Sequence, residues 1–389
     1  MEHVRATLTA PAGAPAPESA RPARTAVVVG TGGIAHAHAA ALRAAGDRVR
    51  LVAAVDVDEA KARGFAERWD VPGTAGRLED ALAAHPVDLV CLCTPPATHV
   101  PLAETALAAG ANVVVEKPVA LSLAEADRLL AAEAASTGSV AVVSQHRFGS
   151  GVRRLASIVA EGSLGRPLVA NCLTQWYRPD AYFQVPWRGT FEAEGGGPTM
   201  GHGIHQVDVM LAVLGEWTEV SAMAARGARP TRTEEVSVAT VRFASGALAA
   251  VVNSVVSPRE TSVLRFDLER ATVELTHLYG YDDEDFTVTA APGHEEEVAR
   301  TWAAGPAGVP SSHEAQFAAV LDALDAGTTP PVALRTARDT LELVAAVYRS
   351  AFTGTLVRRG DIGPEDPFAL RMDGTGAPWE RDGAAGTAR

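Results

Sequence analysis

Thr25-Ala26-Val27-Val28-Val29-Gly30-Thr31-Gly32-Gly33-Ile34-Ala35 is a short β-branched run, then a glycine-rich turn, then the opening of an Ala-rich stretch that continues to Ala45. In order, these predict a strand, a tight turn and a helix. Gly30 to Ala35 fit G-x-G-x-x-A. In that setting the glycines permit the turn, the close approach of a pyrophosphate and tight helix packing, while the helix N-terminus offers amide donors to phosphate. The motif alone is weak in a chain with 35 glycines; its place between strand and helix gives it force. Gly30, Gly32, Gly33 and Ile34 are therefore candidate contacts to a dinucleotide.

The alternation continues outward from this turn. Val49 to Val55 is a second apolar run, ending at Asp56. A carboxylate there accepts hydrogen bonds from adenosine ribose hydroxyls and repels a 2′-phosphate, which favours NAD over NADP; the alternative is a solvated turn residue. A helix from Glu59 to Trp69, a strand from Val87 to Cys93, a helix from His99 to Ala109 and a strand from Asn112 to Val115 follow. A helix from Leu123 to Ala135 and a strand from Val140 to Ser144 complete the series. Near-continuous apolar strands suit a parallel sheet covered on both faces, so residues 25–147 are expected to form a doubly wound Rossmann domain within an α/β chain.

After about Gln145 the strands alternate instead, as in Leu168 to Gln175, Glu235 to Phe243, Ala247 to Val256, Ser262 to Leu268 and Ala271 to Thr276. This predicts a second α/β domain over 148–360 with an open, mostly antiparallel sheet. A helix from His205 to Leu214 precedes that sheet, and two more, His313 to Ala326 and Leu334 to Ala351, are expected to close the chain against it. Residues 1–24 are expected to be a disordered tail and 361–389 a flexible one.

Composition excludes several function classes. The formal net charge is -13, and Lys and Arg are scattered, which argues against nucleic-acid or anionic-membrane partners. Three cysteines give no disulfide or zinc framework; Cys91 and Cys93 share one strand face as small hydrophobes. Gly, Pro or charge breaks every apolar stretch before membrane-spanning length, and the first residues lack a secretory apolar centre, so cytoplasmic residence is expected.

Further motifs lie beyond the turn: Cys93-Thr94-Pro95-Pro96, then Glu116-Lys117-Pro118, then Gly195-Gly196-Gly197 followed by His205 and Asp208. With Gly30 to Ala35, their order resembles the Gfo/Idh/MocA oxidoreductases, relatives of glucose-fructose oxidoreductase and inositol dehydrogenase. The resemblance covers roughly Ala26 to Val357 and includes the closing segment Thr340 to Ser350. It implies a Rossmann domain followed by an α/β domain whose open sheet supports a homodimer or homotetramer, with the active site between the two. It makes Lys117 the catalytic lysine, reaching the substrate hydroxyl and nicotinamide ribose, and His205 the general base. Glu116 shapes the turn that aims Lys117 and lies by the cofactor. Thr94, Pro95, His99, Gln145, Trp187 and Arg188 are placed near the cofactor by the same likeness; Pro95 and Pro96 read equally as turn residues.

One position departs from that pattern. Dehydrogenases of this kind that oxidise polyols commonly carry Asp four residues before the histidine, where this chain has Gly201. His202 is a candidate to replace part of that function by contacting substrate. Asp208, three residues after His205, either orients its ring or satisfies a buried polar contact. A metal site of His202, His205 and Asp208 is disfavoured by their spacing, and no metal is expected. Trp176, Tyr177, Arg178, Tyr182 and Phe183 mix aromatic and polar groups that suit stacking on a sugar ring, or else serve as core or interface. The expected activity is hydride transfer between NAD, or NADP, and a hydroxyl or keto carbon of a sugar, deoxysugar, inositol or glycoside. A reductase of an activated carbonyl or imine, and a non-catalytic dinucleotide-binding sensor, stay open on the same fold.

Overall fold

Successive residues of β1 (Arg24–Val29) face opposite ways: Val27 and Val29 enter one apolar layer, Ala26 and Val28 another, and none is more than 4% exposed. Burial on both faces is what a central parallel strand requires. These facts come from a computed structural model that describes residues 22–185, 187–277 and 279–382. Residues 1–21 of the expected N-terminal tail lie outside the described residues, and Arg24 already belongs to β1.

Five more strands join β1: β2 (Val49–Val55), β3 (Gly73–Ala75), β4 (Leu89–Leu92), β5 (Asn112–Val115) and β6 (Val140–Val142). They form one parallel sheet in the order β3-β2-β1-β4-β5-β6. The order reverses between β1 and β4, and the crevice beyond the carboxyl ends of strands at such a point is where α/β sheets bind ligands. Gly30, Cys93 and Glu116 each follow directly on one of these strand ends.

The second sheet has eight strands: β7 (Pro167–Tyr177), β8 (Trp217–Ala225), β9 (Val236–Phe243), β10 (Leu248–Ser254), β11 (Val256–Leu268), β12 (Ala271–His277), β13 (Phe286–Ala290) and β14 (Val357–Arg358). Their order is β13-β12-β11-β7-β10-β9-β8-β14. Every pairing is antiparallel except β7 with β10. Along β9 the inward Ser237, Ala239, Val241 and Phe243 are buried while Val238, Thr240 and Arg242 face out, the period of two expected of a sheet covered on one side. One apolar layer runs from the Rossmann sheet, through Val29, Val90 and Val113, to Val220, Val241 and Val273 of the second sheet. No helix of the described residues is long and apolar enough to cross a membrane.

Two expectations are corrected. The helix His313–Ala326 does not close against the second sheet: Phe317, Val320 and Leu321 pack under β1 with Ala35, Ala39 and Leu42 of the helix Ala35–Ala44. Its Gln316 amide also donates to Val142 O and accepts from Ser144 N, securing the end of β6. Residues 361–382 are not a free tail either. Phe368, Met372 and Ala377 are buried, Phe352 packs against Phe368 and Trp379, and Trp379 Nε1 donates to Arg232 O at 2.9 Å. The Gly and Pro content conceals apolar residues spaced to cover the helix Leu334–Thr353.

Candidate active site

At the first turn, Gly30 has φ +83°, and a Cβ there would lie 2.8 Å from Thr94 Cγ2 and 2.9 Å from the Cys93 carbonyl. Only glycine fits this corner. A Cβ on Gly32 or Gly33 would meet nothing within 4 Å, so the backbone faces open space before the helix Ala35–Ala44. That bare ledge at a helix N-terminus fits the pyrophosphate of a dinucleotide. Asp56 Oδ2 accepts from Thr31 N at 2.9 Å and Thr31 Oγ1 at 2.8 Å, and its Oδ1 accepts from Asp58 N at 2.9 Å. Partial burial opposes ionisation, but these donors hold the carboxyl below its ordinary range. Asp56 therefore carries a negative charge beside the ledge.

Beyond β5, the buried Glu116 is held on all sides. Its Oε1 meets His38 Nε2 at 2.9 Å and His313 Nε2 at 3.1 Å, while Oε2 accepts from Lys117 N at 3.2 Å. Burial works to raise its pKa, and the two imidazoles outweigh burial and push it well down. The ligand atoms of His38, Glu116 and His313 lie within 4.8 Å of one another, a donor set of the kind that binds transition metals. Here both imidazoles address the same carboxylate oxygen at hydrogen-bond distance, so the cluster closes on itself. His38 lies in the dinucleotide helix and His313 starts the returning helix, so the cluster ties both to the lysine turn. The Lys117-Pro118 peptide is cis. Lys117 Nζ donates to Gly201 O at 2.9 Å, and burial lowers its pKa despite the nearby Glu116 charge.

Lys117 and His205 line one small cavity of about 20 Å³, together with Asp208, Thr340 and the apolar Val119, Val142 and Leu341. His205 is buried, near the start of the helix Ile204–Leu214. Burial, then the Lys117 charge, pushes its pKa well below the ordinary histidine value, so it is neutral at physiological pH. Its ring packs 4.9 Å from His146 and 5.6 Å from Tyr279. Several polar atoms here are buried without a partner: His205 Nε2, His202 Nδ1, Gln145 Oε1 and both nitrogens of His146. Unsatisfied groups of this kind are costly in a closed core and common where a ligand binds.

Several assigned residues gather at this edge. Tyr182 lies between two guanidinium groups, Arg188 at 3.9 Å and Arg178 at 5.4 Å, with His202 6.1 Å away. Trp187 packs against Arg188 at 4.3 Å. Trp176 is buried, packs 5.2 Å from His202 and donates to Ser262 Oγ. Three candidates take positions of their own. Tyr177 follows Trp176 on β7 and so faces the outer side, 42% exposed, where it does not reach the cleft. Of its two expected roles Asp208 takes the buried polar contact: Arg147 grips both its oxygens at 2.5 and 2.6 Å, and Thr340 adds a third bond. His99 is fully buried, with Nδ1 toward Pro118 O and Nε2 toward Thr94 O, both at 2.8 Å. It braces two turns, donating to one of these carbonyls at a time, because burial lowers its pKa and favours the neutral ring. Thr94 and Pro95 stay at the carboxyl end of β4, with Thr98 Oγ1 donating to Thr94 Oγ1 and Pro95 O. Sequence reading missed His38, His146, His313 and Tyr279, whose ring hydroxyl accepts from Gln145 Nε2 at 2.7 Å. His38 recurs eight residues after Gly30 on a helix face, and that spacing was the available signal.

A doubly wound sheet with this ledge, followed by a second, mostly antiparallel sheet, with a lysine and a histidine lining one small cavity, is the architecture of two-domain NAD(P)-binding oxidoreductases. The model of an oxidoreductase family with an NAD-binding Rossmann fold matches residues 24–144, and the model of the GFO/IDH/MocA C-terminal domain matches 152–274. The chain belongs to the GFO/IDH/MocA family. It is 30% identical over 211 residues to 1-carboxy-3-chloro-3,4-dihydroxycyclo hexa-1,5-diene dehydrogenase of Comamonas testosteroni, a match covering 53% of this chain and only 52% of that protein. With D-apiose dehydrogenase of Paraburkholderia graminis it shares 25% identity over 349 residues, 85% of this chain and 88% of the other. The crystal structure of the WlbA dehydrogenase of Chromobacterium violaceum with NADH and UDP-GlcNAcA superposes with a TM-score of 0.76 at 26% identity, over 88% of this chain and 98% of the other.

Proposed function

We propose that the chain transfers a hydride between NAD and a hydroxyl or keto carbon of a sugar-like or cyclitol-like substrate, with Lys117 and His205 as the catalytic pair. The observation that carries this reading is a buried ammonium and a buried neutral imidazole lining one cavity at the carboxyl edge of the Rossmann sheet. In the oxidative direction His205 Nε2, in the tautomer protonated on Nδ1, takes the hydroxyl proton. Lys117 stabilises the alkoxide that develops, and does so strongly because the site is shielded from water. NAD supplies the hydride acceptor when bound; Gly30, Gly32, Gly33 and Ile34 would hold its pyrophosphate, and Asp56 its adenosine ribose, in preference to NADP. Relatives named for an apiose and for a dihydroxylated ring acid, and one seen with a nucleotide sugar, support a polyhydroxylated substrate.

Lys117 donates to the peptide carbonyl of Gly201, the position at which polyol dehydrogenases of this kind commonly carry Asp. This favours one second reading, reduction of an activated carbonyl or imine, where less base assistance is needed. We place the enzyme in the cytoplasm as a homodimer or homotetramer, built on the outer sheet face where Met223, Val238 and Leu248 are exposed. The test is a screen of alcohols, sugars and their keto forms with NAD and NADP, following the absorbance of the reduced nicotinamide. Turnover with a polyol and NAD is expected. Cofactor binding with silence across polyols and ketones, together with turnover of an imine, would overturn the reading.

A further inference from the structure

The region around Gly201 gathers three cations, and the carboxylates that reach two of them do so at 3.2 and 3.4 Å. Lys117 Nζ bonds to the Gly201 carbonyl, a neutral acceptor. Arg178 reaches Glu260 only at 3.4 Å and turns its Nε toward His202 Nε2 at 3.3 Å. Arg188 reaches Glu194 at 3.2 Å and also donates to the Tyr182 hydroxyl, while the other oxygen of Glu194 accepts from Gly189 N at 2.6 Å. Glu116, beside Lys117, is already spent on two imidazoles and a backbone amide. The three cations share one neighbourhood: both guanidinium groups flank Tyr182, and Lys117, Arg178 and Arg188 all disfavour protonation of His202.

Two independent features show room and demand for a ligand there. A Cβ on Gly201 would meet nothing within 4 Å, so the place of the usual aspartate is open space. His202 Nδ1, next in sequence, is shut from solvent without a hydrogen-bond partner. Such a group calls for a polar atom that the chain does not provide. Planar guanidinium groups stacked on aromatic rings are also pre-organised to bind oxyanions.

We propose that the substrate is an anionic sugar, whose carboxylate or phosphate sits among Lys117, Arg178 and Arg188 in the space over Gly201. This rests on the sugar reading above and adds the charge. The oxyanion fills the open space over Gly201 and serves as counter-charge to Lys117, so the substrate completes the site.

The test is calorimetry on the full chain saturated with NAD, titrated with glucose and myo-inositol, with glucuronate and galacturonate, and with glucose 1-phosphate. At least one oxyanion-bearing sugar is expected to bind about tenfold more tightly than its neutral counterpart, with the advantage shrinking as salt rises. The uronate and phosphate arms identify which oxyanion fits. Arg178→Gln should erase the preference, and Arg178→Lys should restore part of it. Gly201→Asp, at a site with space for the side chain, should weaken the oxyanion ligands about tenfold and spare the neutral ones. Neutral sugars binding as tightly as their anionic counterparts, no binding by any oxyanion sugar, or a preference that survives both Arg178→Gln and Gly201→Asp would overturn the proposal. Binding is read without turnover, so oxyanion-selective binding with no hydride transfer would sink the catalytic reading alone. Equal binding of neutral and anionic sugars with efficient turnover would sink only this one.

Discussion

Two buried polar regions lie either side of Lys117, and they are built on opposite principles. In the Glu116 corner the carboxylate has two imidazole partners and a backbone amide, all within 3.2 Å. At the histidine edge, His146, His202, His205 and Gln145 keep buried polar atoms without partners. Both regions cost desolvation, but the first recovers most of it inside the chain, leaving His38 Nδ1 unpartnered, whereas the second leaves several polar atoms unpaired. The difference teaches how to separate holding residues from binding ones: the corner fixes the lysine, and the edge waits for something to complete it. Burial alone would not have distinguished them.

The contrast can be broken most forcefully at the group the two regions share. Lys117→Ala is expected to lower turnover about a thousandfold while NAD still binds, because the ammonium acts on the reacting oxygen and the ledge is elsewhere. Turnover within tenfold of the wild type would remove Lys117 from the chemistry. Next in size is the corner itself. Glu116→Ala leaves two buried imidazoles and an amide without an acceptor and should cost about 3 kcal/mol in denaturant unfolding. A change under about 0.5 kcal/mol would show that the corner is not a holding device.

The histidine edge should declare itself through pH. His146 has its pKa lowered to about 3 by burial, then by His277, which itself is lowered to about 4. A folded-state pKa below the unfolded one means that the unfolded chain binds more protons. Stability is then full above the ordinary histidine value of 6.5 and is lost as pH falls from there toward the folded values. His146→Phe should flatten that acid slope by about 1.4 kcal/mol per pH unit, measured by denaturant unfolding between pH 6 and about 4. An unchanged slope would mean that the ring is not kept neutral by the fold. The smallest effect is expected at the cofactor's far end, where Asp56→Ala should narrow the preference for NAD over NADP about fivefold, read from the two dissociation constants.

The Rossmann half was legible because its signals are local: apolar runs, a glycine turn and an acid at a strand end lie within a few dozen residues of one another. The second sheet was legible in its alternating strands, yet β8, β13 and β14 were not read, since Trp217 to Ala225 and Phe286 to Ala290 are short or weakly patterned. The helix His313–Ala326 has the right periodicity, but nothing in it says which sheet it will cover. Lys117 and His205 were found through motif likeness. The Glu116 cluster joins residues 78 and 197 positions apart, and no local pattern records such a meeting. Asp208 shows the converse: its spacing from His205 left two roles open, and Arg147, 61 residues away, decides for the buried polar contact.

The most direct test is a crystal structure of the chain with NAD. The pyrophosphate is expected over Gly32 and Gly33, with the adenosine ribose at Asp56 and the nicotinamide ring in the cleft beside Lys117 and His205. A nicotinamide directed away from that pair, or no dinucleotide at the glycine ledge, would contradict hydride transfer at this site.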